Sequence, residues 1–70
     1  MIDAPVYKHS VGHIKIKLLA TMLDKGWPTN ACVELANDCV AAGETTPYWR
    51  EQMGDEAADA LNNDLKGMMQ

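Results

Sequence analysis

Two histidines and two cysteines are the residues of this chain with the most chemistry to offer. His9 and His13 lie four apart and Cys32 and Cys39 seven apart, so each pair can share one face of a helix, nominally a two-His, two-Cys zinc set. The spacing speaks against zinc. Structural zinc sites take cysteines about two to four residues apart on a turn, whereas seven residues of helix hold two thiols roughly 10 Å apart. The same separation forbids a Cys32–Cys39 disulfide within a helix, because bridged Cα atoms come within about 7 Å. Buried apolar thiols are the expectation, and neither a metal nor another cofactor is implied. Nucleophilic catalysis needs a Ser or Cys with a base and an orienting group, and Ser10 beside two near-terminal histidines offers the residue types without that arrangement. There is no glycine-rich phosphate loop, no His-Glu-x-x-His and no nucleophile elbow, so a protein that is not an enzyme is expected.

Any such groups must be positioned by a small scaffold. Seventy residues make one domain, spanning 1–70, whose core is marginal unless a disulfide, a metal or a partner chain supports it. With the first two disfavoured, self-association as a homodimer becomes the default. The longest apolar candidate, Ile14 to Leu23, is interrupted by Lys15, Lys17 and Thr21 and is too short for a membrane span. The start, Met1-Ile2-Asp3-Ala4-Pro5, lacks the charged end and apolar core of a secretory signal, so a cytoplasmic location with free thiols is expected.

Turn signals fall at Gly26-Trp27-Pro28 and at Gly43-Glu44-Thr45-Thr46-Pro47, dividing the chain into three segments. They predict an all-α fold, a compact three-helix bundle with helices over about 10–25, 29–42 and 47–66. In the first, Val11, Ile14, Leu18 and Met22 follow helical spacing, Ser10 is placed to cap the start and Gly26 to end it. An alternative reading takes His13-Ile14-Lys15-Ile16-Lys17-Leu18 as a strand, because it alternates at period two, paired with Val6-Tyr7-Lys8 in an extended N-terminal hairpin. The second helix buries Cys32, Leu35 and Cys39 beside small alanines, leaving room for Trp27 or Trp49. In the third, Thr46-Pro47 is a strong start, and Trp49, Met53, Ala57, Ala60, Leu61, Leu65 and Met68 form a stripe running through Gly54. One helix of about five turns is the simplest reading, with a break before Asp55 as the alternative.

Charge is unevenly spread: residues 1–25 hold four lysines against Asp3 and Asp24, and residues 26–70 hold eight acids against Arg50 and Lys66. On an unbroken third helix Glu51, Asp55 and Asp59, spaced by four, form an acidic ridge. With Trp49 beside it, that ridge is the candidate surface for docking on a host protein, solubility being its plainer role. Met53, Leu61, Leu65, Met68 and Met69 are the candidate self-association surface, since methionine suits adaptable interfaces. Nucleic-acid binding is the lesser alternative. Two helices joined through Lys25-Gly26-Trp27-Pro28 have the outline of a helix-turn-helix, yet the second carries Glu34 and Asp38 and no basic residue. A purely structural, self-assembling subunit is the third possibility.

The segment Met22-Leu23-Asp24-Lys25-Gly26-Trp27-Pro28 resembles the loop of ubiquitin-associated domains, three-helix modules in which a Met-Gly-Phe or Met-Gly-Tyr turn contacts ubiquitin. Lys25 stands in place of the methionine and Trp27 in place of the smaller aromatic, so no function carries over to this chain. In type, its compactness, acidity and methionine content resemble small accessory proteins encoded by bacteriophages, which implies binding to a host protein and changing or inhibiting its activity.

Overall fold

Why the chain breaks into helices where it does is visible at each end. The computed structural model describes residues 5–70. Positions 1–4 of the expected domain, with most of the segment inspected for a secretory signal, lie outside the described residues. Four helices follow in order: α1 (Val11–Asp24), α2 (Thr29–Ala42), α3 (Pro47–Met53) and α4 (Asp55–Gly67). The architecture is all-α, as the periodicity implied, with four helices where three were expected.

Ser10 caps α1 by accepting the His13 amide at 3.3 Å. The helix ends in a Schellman turn: the Gly26 amide reaches the Leu23 carbonyl at 3.0 Å and the Trp27 amide the Met22 carbonyl at 3.2 Å. The period-two run from His13 to Leu18 is therefore helical, and the hairpin reading fails because Ile14, Leu18 and Met22 on one face are buried together. α2 ends at Gly43, whose amide bonds the Cys39 carbonyl at 2.8 Å. A Cβ at Gly43 would lie 2.9 Å from Pro5 Cγ and 3.0 Å from Met69 Cε, so the two chain ends close directly over this residue.

The predicted third helix is two. Thr46 caps α3 with Pro47 in its first turn, but Gly54 takes φ 87° and ψ 159°, a region only glycine enters at low cost. Its amide closes α3 on the Arg50 carbonyl at 2.9 Å, and its carbonyl opens α4 by accepting the Ala58 amide at 3.0 Å. Burial explains the break. At about 100° per residue, the nine positions from Trp49 to Ala58 would put these two on opposite faces of one straight helix. Both are buried, so the axis must bend between them. Ala60, expected on the stripe, is exposed, and Ala58 takes its place in the core.

The core joins Ile14, Leu18 and Met22 of α1 to Cys32, Leu35, Cys39 and Val40 of α2, Trp49 of α3, and Leu61 and Leu65 of α4. Tyr7 completes it from the N-terminal segment, donating its hydroxyl to the Val40 carbonyl at 2.7 Å. That segment is extended and pairs with the C-terminal tail rather than with α1. Lys8 donates to the Met68 carbonyl at 2.8 Å and Gln70 to the Val6 carbonyl at 3.1 Å, around an antiparallel bridge between Tyr7 and Met69. No helix among the described residues is long and apolar enough to cross a membrane.

Candidate interaction surface

The corner between α3 and α4 gathers most of the residues singled out from sequence and rearranges them. Trp49, expected beside a docking ridge, is 4% exposed. Its indole N–H donates to Asp38 Oδ2 at 2.8 Å, and its ring packs 6.2 Å from that of Trp27 and 4.9 Å from that of Tyr48. A buried indole needs a partner for its N–H, and a carboxylate on α2 supplies it. Trp49 is thus a structural pin between helices and leaves the docking surface.

Glu51, Asp55 and Asp59 do not make one ridge, because Glu51 belongs to α3 and the two aspartates to α4. Arg50 reaches across the corner, with Nη1 3.1 Å from Asp55 Oδ1 and Nη2 2.9 Å from Asp59 Oδ1. Donating hydrogen bonds to Asp59 and then to Asp55 raises the guanidinium above its ordinary pKa. Asp55 and Glu56 also occupy the first turn of α4, where negative charge favours the helix. All three acids of the predicted set are exposed, Glu51 alone standing outside the Arg50 pairs, and beside it on α3 lies Tyr48, 61% exposed, which the sequence reading did not single out. The signal was available: if Trp49 and Met53 face inward, the residue before Trp49 faces outward.

The proposed self-association set disperses in the same way. Leu61 and Leu65 sit in the chain's own core, so they cannot line an interface between copies. Met53, Met68 and Met69 are half-buried against that core, the last two held by the pairing of the chain ends. The tail that would be exposed on an isolated protomer folds back and covers itself.

Beneath the corner Thr45 is buried, with its amide 2.6 Å from Asn62 Oδ1. Its hydroxyl hydrogen has two acceptors in reach, Asn62 Oδ1 at 2.7 Å and the Ala58 carbonyl at 3.1 Å. These bonds tie the α2–α3 loop to the middle of α4.

The thiols and imidazoles do not converge. Cys32 and Cys39 are fully buried and free, while His9 and His13 are exposed with their rings 5.0 Å apart. Burial raises the Cys39 thiol above its ordinary pKa, opposed in part by a backbone hydrogen bond at Thr46 and helped slightly by Asp38, which favours the protonated thiol. Among the described residues, one shallow cleft of about 280 Å³ lies between α1 and α4 beside Lys17, Thr21 and Asp64, and another of about 340 Å³ lies beside Glu44, Asp59, Asn62 and Lys66.

No protein-family model matches the chain, and no curated protein or solved structure matches it either.

Proposed function

We propose that this protein is a non-catalytic binding module that docks on a basic surface of a host protein and changes that protein's activity. The contact centres on Tyr48, with Glu51, Glu56 and the outward oxygens of Asp55 and Asp59 around it. The observation that carries this reading is the 61% exposure of Tyr48 on a short helix pinned from below by Trp49. A rigid, exposed tyrosine among charged groups has the make-up of a binding hot spot: large contact area, few rotors to immobilise and a polar tip. Arg50 supports the same reading by fixing Asp55 and Asp59, so their charge is presented without further ordering on binding.

The test is affinity capture from nuclease-treated bacterial lysate, comparing wild type with Tyr48→Ala and with Glu51→Lys/Glu56→Lys, all at exposed positions. A protein held by wild type, lost by both variants and released by salt supports the reading. Identical capture by all three overturns it. Retention of wild type on DNA, weakening steeply with salt, would instead favour the lysine-bearing first helix as a nucleic-acid contact.

A further inference from the structure

α1 is apolar on two sides. Ile14, Leu18 and Met22 face the core, but Ile16, Ala20 and Leu23, spaced by four and three, form a second strip turned away from it. Ile16 is 65% exposed and Leu23 42%, so a β-branched and a γ-branched side chain stand in water on one face of a regular helix, two turns apart with Ala20 between them. Isolated exposed apolar residues are ordinary, whereas a strip at heptad spacing is the seam by which helices pair.

The charges beside the strip indicate its occupant. Lys17 and Asp24 are seven residues apart, so they lie on the same flank of the seam, and both are exposed. The ion pairs found among the described residues are those of Arg50, and involve neither. A second α1 laid antiparallel and centred near Ala20 brings Lys17 alongside Asp24 of the partner subunit, and by the two-fold axis Asp24 alongside the partner's Lys17. A parallel copy would put the two flanks on opposite sides of the seam, so that Lys17 and Asp24 would face Gly12 and Leu19 of the partner subunit and no ion pair would form. Ala20 at the crossing is small enough for the axes to approach within about 8–10 Å.

We infer that the outer face of α1 is a homodimer seam, in which Ile16, Ala20 and Leu23 pack against the same strip of an antiparallel second copy, flanked by two Lys17–Asp24 pairs. An anionic lipid surface would find the lysines but also a chain of net charge −4. Fourteen residues of helix give a seam about 21 Å long with three apolar side chains on it, so the dimer is weak and in rapid exchange. It does not use the Met53, Met68 and Met69 surface and is independent of docking through Tyr48.

Sedimentation velocity from micromolar to millimolar protein at low salt tests it. Wild type should pass from monomer to dimer over that range, and Ile16→Glu should stay monomeric with an unchanged helical spectrum, since the position is exposed. Lys17→Asp should weaken dimerisation by about tenfold, and Lys17→Asp/Asp24→Lys should restore it. A wild type that is monomeric throughout overturns the inference, as does a dimer that survives Ile16→Glu. A double variant no better than Lys17→Asp overturns the antiparallel register. Monomeric protein that co-sediments with phosphatidylserine vesicles through Ile16 would assign the strip to lipid instead.

Discussion

The chain turns at two glycines of nearly equal φ, 90° at Gly26 and 87° at Gly54, yet the two corners are made of different materials. At the first, backbone hydrogen bonds close α1, Trp27 packs on the core, and the Cys32 thiol donates to the Trp27 carbonyl at 3.6 Å. At the second, a single positive-φ glycine separates two helices, and polar groups hold the angle: Arg50 across to Asp55 and Asp59, and Thr45 to Asn62. The first corner leans on the distant Trp49, whereas the second is tied mostly by exposed groups close in sequence, and only the Thr45 hydroxyl there is buried and has to find its mate in another element.

Trp49→Ala should have the largest effect, since the ring contacts both corners through Trp27 and Tyr48. A loss of about 3–5 kcal/mol is expected, against a total of order 5 kcal/mol for so short a domain. Urea unfolding followed by far-UV circular dichroism should find the variant mostly unfolded without denaturant. A shift in midpoint of only a few tenths molar would mean the corners are held independently.

The glycines come next. Gly54→Ala should cost about 1–3 kcal/mol because its dihedrals exclude a Cβ, while Gly26→Ala, at an ordinary left-handed helix end, should cost about 1–2 kcal/mol. No atom crowds either position, so the difference is one of backbone conformation alone. Equal urea midpoints would erase the distinction between the two corners.

Thr45→Val keeps the shape of the side chain and removes the hydroxyl that bonds α4, and should lower stability by about 1–2 kcal/mol. If its denaturation curve overlays that of wild type, the polar tie is not what fixes the second corner.

Tyr7→Phe lies outside both corners and serves as the reference, with an expected loss of about 1 kcal/mol from the bond to Val40. Its pH dependence is distinctive. Burial, and then Cys39, raise the Tyr7 hydroxyl above the ordinary tyrosine value of about 10, so its contribution is complete below that pH and lost as pH rises through the raised folded value. The stability gap between wild type and Tyr7→Phe should therefore narrow in strong alkali.

The parts of the fold legible in the sequence are those whose signals are local. Ser10, Gly43 and the Thr46-Pro47 start act within one turn, and each stands where its residue type and neighbours placed it. Gly54 was harder because the apolar stripe runs on beyond it with the same spacing. The clue lay in phase: Trp49 and Leu61 are twelve apart, about 120° round a straight helix, so the stripe drifts too far to share one buried face. The candidate site was less legible. Trp49 suits both the space beside the α2 alanines, which it fills, and a docking surface, and Leu61 and Leu65 suit both a core and an interface, because hydrophobic side chains look alike in the two and only the packed partners distinguish them. Tyr48 and Arg50 gained their interest from geometry, one from facing outward and the other from spanning a bend that an unbroken helix does not contain.

The clasp between Val6–Lys8 and Met68–Gln70 also sets an order of events in time. It joins residues about sixty positions apart, and a loop of that length costs more entropy to close than any helical turn, which forms from its own neighbours. The helices are therefore expected to form first and the clasp last. In native-state hydrogen exchange the amides of Lys8 and Gln70 should open well before that of Cys39 in the middle of the core. Until the ends meet, the carbonyl of Val40 waits for its tyrosine and the turn at Gly43 lies open to water.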